Sequence, residues 1–167
     1  MSTIKPSRRT ACFYAGETYD VGGSMGHLLY QVMVNMKREV EARMAELGLT
    51  DAQWKPLLAL KTGRADTAFE LAREMGIDAG AMTRMLDRLE AKGLVERVRS
   101  ETDRRVVHLG LTREGEAAAA QVPDVLAAVN NDFLRGFTKQ EWTTLKDLLQ
   151  RMAVNGQALQ ENEENVQ

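Results

Sequence analysis

The chain has 167 residues, of which 44% are hydrophobic, and its formal net charge is -2, so its total charge neither indicates nor excludes nucleic-acid binding. That length fits one compact domain with helical arms. The single cysteine, Cys12, excludes an internal disulfide and a cysteine-based zinc site, and without an apolar run of about 20 residues we expect a cytoplasmic protein with no membrane partner.

The first predicted element is an N-terminal arm, residues 1–21, which shows no helical period. Over 24–47 apolar side chains recur at three- and four-residue steps and predict a long amphipathic helix. Gly48 follows, where a helix end favours a left-handed glycine. Thr50 and Gln53 then form a capping box, which predicts the start of a second helix.

The centre of the chain has the pattern of two short helices followed by a hairpin. A capping box at Thr67 opens a helix that ends near Gly76, and Asp78 caps the next helix. Two helices joined by a tight glycine-containing turn predict a helix-turn-helix. The segments 94–99 and 106–111, rich in valine and leucine and separated by polar residues, predict a β-hairpin after it.

Helical patterning resumes at Thr112, and a capping box at Thr138 opens a last amphipathic helix. The apolar stripes of the first and last helices need a partner surface. A symmetric dimer is the commonest solution, and one intramolecular core is the alternative. The predicted fold is mainly α (α+β), with an arm (1–21), dimerisation helices (22–48 and 112–155), a winged helix-turn-helix lobe (49–111) and a polar tail (156–167).

The second helix of the helix-turn-helix has the composition that a DNA major groove requires. Its small start, Ala79-Gly80-Ala81, permits close approach, and Thr83, Arg84 and Arg88 follow on the outward face. The inward stripe is formed by apolar residues: Met82, Met85, Leu86 and Leu89. We therefore predict DNA contacts from Gly80, Thr83, Arg84 and Arg88, against the alternative of a merely solvated face.

The hairpin adds positive charge beside this helix. Four arginines cluster around its tip: Arg97, Arg99, Arg104 and Arg105. Arginine suits the negative potential of a narrow minor groove. Asp103 is predicted to pair with Arg105 and fix the direction of its guanidinium. Arg99, Asp103, Arg104 and Arg105 therefore join the predicted DNA-binding residues.

Taken together, these motifs resemble the MarR-type regulators, the multiple-antibiotic-resistance regulator family. The resemblance rests on Leu94-Val95-Glu96-Arg97, on the tip Asp103-Arg104-Arg105 and on Leu111-Thr112-Arg113-Glu114-Gly115. The segments 47–60 and 86–95 are also similar to that family, and the similarity covers about 22–155. It implies an obligate homodimer of interlocked first and last two helices, which represses genes by occupying a palindromic operator on double-stranded DNA.

The resemblance also implies a small-molecule effector. Many MarR-type regulators release DNA when a phenolic or aromatic acid binds between the dimer helices and the DNA-binding lobe. In this sequence that region offers His27, Tyr30, Trp54 and Lys55, an aromatic wall with a cation that suits an aromatic carboxylate. Core or solvated positions are the alternative for these four residues. The start Ala79-Gly80-Ala81 departs from the family's serine-rich pattern, which shifts weight to backbone donors, Thr83 and Arg84.

Other functions have less support in the sequence. No catalytic motif, metal-ligand spacing or cofactor motif is present, so we predict no enzyme, no metal site and no cofactor. Cys12 lies near Arg8 and Arg9, which permits the hypothesis of an oxidant sensor. An effector-independent DNA binder and a winged helix that docks a protein are the alternatives to a ligand-responsive repressor.

Overall fold

The structure, a computed structural model, describes residues 13–99 and 107–164. Within these ranges the chain forms six α-helices and one two-stranded antiparallel sheet. In chain order the elements are α1 (Met25–Glu46), α2 (Asp51–Lys61), α3 (Ala68–Met75), α4 (Ala79–Ala91), β1 (Val95–Arg99), β2 (Val107–Leu111), α5 (Arg113–Phe133) and α6 (Lys139–Glu164). This order confirms the predicted winged helix-turn-helix with flanking helices. Among the described helices, none has the length and apolar character needed to cross a bilayer.

The chain divides into two compact units, Met1–Arg38 and Glu39–Gln167, with the boundary inside α1. In the first unit the Tyr14 hydroxyl accepts the Met25 amide at 2.9 Å, so the described part of the arm is fastened to the first residue of α1. The Asp20 carboxylate accepts two successive glycine amides just before that helix. Apolar side chains of α1 in this unit are exposed: Met25, Leu28, Tyr30, Val32, Met33 and Val34.

The core of the second unit joins the helix-turn-helix to the helices behind it. Here α2 packs against α5, α4 and β2, while α4 also packs against α3 and β1. The largest fully buried side chains of this cluster are Met44, Leu57, Leu71, Met82, Leu86, Leu89 and Val122. Burying one such side chain contributes about 1.5–3 kcal/mol, so this cluster fixes α4 on α2 and on the hairpin.

All three predicted capping boxes are present. The Gln53 side chain accepts the Thr50 amide at 3.2 Å. At α3, the Thr67 hydroxyl accepts the Glu70 amide while the Glu70 carboxylate accepts the Thr67 amide. Thr138 and Glu141 repeat this exchange at α6. Backbone amides hydrogen-bonded to the charged carboxylate lower the pKa of Glu70 and of Glu141.

The start of α5 is pressed against the end of the loop between α4 and β1. The Thr112 hydroxyl donates to the Gly93 carbonyl at 2.6 Å and accepts the Gly115 amide at 3.0 Å, and the Thr112 amide donates to the Leu94 carbonyl. Gly115 is buried, and a Cβ built on it would lie 1.8 Å from the Leu94 carbonyl oxygen. Only a residue without a side chain fits between these two backbone segments.

The last helix is longer than predicted and its surface is open. From Lys139 to Gln160 no side chain of α6 is buried. Apolar residues on or just before this helix are exposed: Phe137, Trp142, Leu148, Leu149, Val154 and Leu159. We expected a polar tail over 156–167, but α6 continues through Gly156 to Glu164. Helix-favouring alanine, leucine, glutamine and glutamate follow Gly156, and one glycine costs too little to end the helix.

Candidate nucleic-acid interface

The turn of the helix-turn-helix is built around Gly76. This residue ends α3 in the left-handed conformation, with φ 63° and ψ 33°. Glycine adopts that conformation at a lower conformational free energy than a residue with a Cβ. Two residues later the Asp78 carboxylate accepts the Ala81 amide at 2.8 Å and starts α4. Met82, Leu86 and Leu89 are buried and Met85 is half-buried, which confirms the predicted inward stripe.

The opposite face of α4 is open to solvent. Gly80, Thr83, Arg84 and Arg88 are all exposed. A Cβ on Gly80 would lie 3.5 Å from Arg84 Nη1, so the Arg84 guanidinium reaches back toward the small first turn of the helix. Among the described residues neither Arg84 nor Arg88 forms an ion pair. This face therefore presents two arginines after a first helical turn that carries only small side chains.

Internal hydrogen bonds limit what the start of α4 can offer. The Thr83 hydroxyl donates to the Ala79 carbonyl at 2.8 Å, which leaves its oxygen as an acceptor. The amide of Ala81 donates to Asp78, so among the first amides of α4 this one is not available to a ligand.

The surroundings of Arg97 differ from the prediction, which grouped it with three other arginines around the hairpin tip. It lies on β1, where Nη2 donates to Asp87 Oδ1 at 2.6 Å and Nη1 to the Glu90 carboxylate. These are both of the acids in α4. The two carboxylates raise the pKa of the Arg97 guanidinium, with the bond to Asp87 the largest cause. Arg97 thus ties β1 to α4 and neutralises the acids of the helix, which removes it from the cations available to a ligand.

The other end of α4 is tied to the loop before α2. Lys92 Nζ donates to the Gly48 carbonyl and to Gln53 Oε1, each at 2.9 Å. Gln53 is buried and its Oε1 also accepts the Thr50 amide, so Lys92 completes a polar group inside the unit. With Arg97 at its side and Lys92 at its end, α4 is held along its length.

The hairpin extends this surface. Its strands pair antiparallel from Val95 opposite Leu111 to Arg99 opposite Val107. Arg99, the last described residue of β1, is exposed. The predicted tip residues Asp103, Arg104 and Arg105 lie outside the described residues, as does the predicted pair between Asp103 and Arg105.

The four predicted effector residues are divided between the two units. His27, which is half-buried, and Tyr30, which is exposed, belong to the first unit. Trp54 and Lys55 belong to the second, where both bind Asp51 at the start of α2: Trp54 Nε1 donates to Oδ1 at 3.1 Å and Lys55 Nζ to Oδ2 at 2.8 Å. Lys55 Nζ also lies 5.4 Å from the centre of the Trp54 ring. Cys12 lies outside the described residues. Within the described ranges no three histidine, cysteine or acidic side chains come together to hold a metal ion.

Comparison with known proteins places these features in a family. Residues 47–106 match the model of the MarR family. The multiple antibiotic resistance protein MarR of Escherichia coli strain K12 is 33% identical over 129 residues, which cover 77% of this chain and 90% of that protein. The MarR of Salmonella typhimurium is 32% identical over the same shares.

Solved structures give the same result. The reduced form of E. coli MarR superposes with a TM-score of 0.69 at 32% identity and covers 77% of this chain and 96% of that one. A mutant E. coli MarR complexed with operator DNA has a TM-score of 0.68 at 31% identity, over 80% of this chain and 99% of that one. A further structure, described as a transcriptional regulator, has a TM-score of 0.67 at 34% identity, over 81% of this chain and 99% of that one.

Proposed function

Because the chain belongs to the MarR family, we propose that it is a cytoplasmic repressor that binds a palindromic DNA operator as a homodimer. The observation that carries the proposal is the outward face of α4. There Arg84 and Arg88 follow the small first turn on the exposed face, while Arg97 neutralises both acids of the helix. A helix of this kind can approach base edges closely without a negative charge facing the phosphates. No step of this function needs an enzyme site or a cofactor.

Exposed apolar side chains support the homodimer. In the first unit they lie along α1, and in the second they lie along α6, where Leu148, Leu149 and Leu159 are among them. Several large apolar side chains exposed along one helix favour a protein interface there, and most oligomers of one chain are two-fold symmetric. Two copies related by a two-fold axis present two α4 helices, which is why we propose a palindromic operator.

We expect the operator to emerge from selection of bound duplexes out of a randomised pool at near-physiological salt. The recovered sequence should be a palindrome with half-site centres about 10 base pairs apart. The logarithm of its affinity should fall with the logarithm of salt by about 0.9 per phosphate neutralised. Recovery of unselected sequences, with the same salt dependence, would favour an effector-independent, non-specific DNA binder. A chain that retains no duplex would instead favour a winged helix that docks a protein.

We further propose that an aromatic carboxylate releases the repressor from this operator. Lys55 beside the Trp54 ring supports this proposal, because a carboxylate ligand could replace Asp51 as the partner of Lys55 while its ring packs on Trp54. His27 and Tyr30, which belong to the first unit, remain predicted effector-binding residues.

Salicylate is a suitable probe of that proposal, since it combines one ring with one carboxylate. We expect it to release the wild-type protein from the selected operator, and Lys55→Ala and His27→Ala to need a higher concentration for the same release. Lys139→Ala, which removes an exposed lysine at the start of α6, serves as the control and should respond as the wild type does. Equal response of all four proteins would refute the assignment of these residues.

A further inference from the structure

Asp66, in the loop before α3, forms an unusual set of contacts with the hairpin. Its carbonyl accepts the Leu109 amide at 2.7 Å, and the next residue, Thr67, forms an antiparallel bridge with His108. Its carboxylate lies 3.0 Å from His108 Nδ1. Since a carboxylate only accepts, Nδ1 carries the proton of this bond. The loop therefore acts as a short third strand along β2, and a side-chain pair reinforces the backbone contacts.

The same residue is also fixed on its other side. The Asp66 amide donates to Glu70 Oε2 at 3.0 Å, and that carboxylate also caps α3 through Thr67. Asp66 thus has its amide bound to α3 and its carbonyl and carboxylate bound to β2. A side chain held in this way loses little further freedom when it pairs, so its direction is well defined.

The pair between Asp66 and His108 is expected to contribute little to the stability of the fold. The His108 side chain is 42% exposed and that of Asp66 59% exposed. Pairs with this much access to water contribute little to folding, because water and salt screen them. The pair adds a side-chain contact to the backbone contacts that join the loop before α3 to β2. Val107, next to His108, pairs with Arg99, the exposed arginine at the end of the strands nearest the tip.

We propose that Asp66 and His108 are positioning residues for DNA binding, whose pair holds β2, and with it Arg99, at a set place beside α3. This inference rests on the proposed function and on the prediction that Arg99 binds DNA, to which it adds that Arg99 neutralises a phosphate. Neither residue needs to touch DNA. The pair acts by limiting how far the hairpin can shift along the helix-turn-helix before the phosphate contact forms.

Electrostatics and positioning predict opposite results for Asp66→Ala. Removing an acid near a polyanion should raise affinity if charge alone decides. Removing the side-chain contact to β2 should lower it, because only the backbone contacts of Asp66 and Thr67 then hold the strand. We expect operator affinity to fall roughly threefold to tenfold for Asp66→Ala and for His108→Ala. The double variant should bind no more weakly than either single variant, because both remove the same pair.

The salt dependence gives a readout that a loss of stability would not move. If Arg99 no longer reaches its phosphate, the slope of log affinity against log salt should fall by about 1 in both variants. His108→Asn keeps a side-chain donor near the position of Nδ1 and should restore most of the affinity. Glu74→Ala is the matched control. Glu74 lies on α3 and pairs with Arg64 at the surface, so this variant removes an acid and an ion pair without changing a residue that contacts the hairpin.

The experiment measures binding of the selected operator duplex over a salt series for the full chain and these variants, with urea unfolding of each. Weaker binding with a smaller salt slope, at nearly unchanged stability, supports the inference. Unchanged or tighter binding by Asp66→Ala would overturn it, as would weakening by Glu74→Ala to the same extent. Failure of the wild-type chain to bind any duplex would refute the proposed function, and the inference with it.

Discussion

Alanine at Gly115 is expected to destabilise the protein by about 3 kcal/mol or more, at the upper end of what overpacking costs. The new Cβ would have to occupy a point 1.8 Å from the Leu94 carbonyl oxygen. Both partners are backbone, so neither can rotate away as a side chain would. Relief requires that α5 move off the loop between α4 and β1, which breaks the hydrogen bonds of Thr112 to Gly93 and Leu94.

Helix propensity alone predicts the opposite sign, because alanine is favoured over glycine within a helix by roughly 0.5–1 kcal/mol. Gly156→Ala supplies the control for that effect, since Gly156 lies inside α6 with nothing within 4 Å of a Cβ. Urea unfolding of both variants and the wild type measures the difference. Gly156→Ala should be equal to the wild type or more stable, and Gly115→Ala should unfold at much lower urea. Equal stability of the two variants would show that the backbone segments at Gly115 and Leu94 can move apart at little cost.

Arg84→Ala is expected to weaken binding to the selected operator by roughly 1–3 kcal/mol and to relax specificity at one position of each half-site. Arg84 is exposed on α4, forms no ion pair with another described residue and lies one turn beyond Gly80, where our proposal brings the helix closest to a groove. An arginine so placed can donate two hydrogen bonds to a guanine. Binding should be measured for the operator, for single-base variants and for an unrelated duplex.

Arg97→Ala is the informative comparison. It removes the same charge but touches no base in our proposal, and it leaves Asp87 and Glu90 without their partner. It should therefore weaken binding to the operator and to an unrelated duplex by similar factors. If Arg84→Ala behaves in the same uniform way, Arg84 contacts a phosphate and another residue reads the sequence.

The parts of this molecule that were predictable from sequence are those set by near neighbours. Capping boxes at Thr50, Thr67 and Thr138 fix helix starts through contacts three residues apart, and a stripe of apolar residues reveals the buried face of α4. Contacts between elements were not predictable in the same way. Arg97 was grouped with the arginines around the hairpin tip, because its pairing depends on how β1 lies against α4.

A signal for that pairing was nevertheless present. Asp87 and Glu90 lie three residues apart on one helix face, and Arg97 follows after a tight turn. The contact between Asp66 and His108 joins residues 42 positions apart and had no such local signature. The end of α6 was placed too early for another reason: polar composition alone does not stop a helix that lacks a helix-breaking residue.

The Arg97 ion pairs should affect the slope of log affinity against log salt in a titration of DNA binding. They lie at the surface, with the Arg97 side chain 33% and that of Asp87 55% exposed, so dissolved ions screen them over a Debye length of about 10 Å at 0.1 M and about 3 Å at 1 M. As these bonds weaken, the acids of α4 recover their repulsion of the phosphate backbone. The measured slope would then be steeper than the slope expected from the counterions released from DNA alone. The difference would come from the ion pairs within the protein.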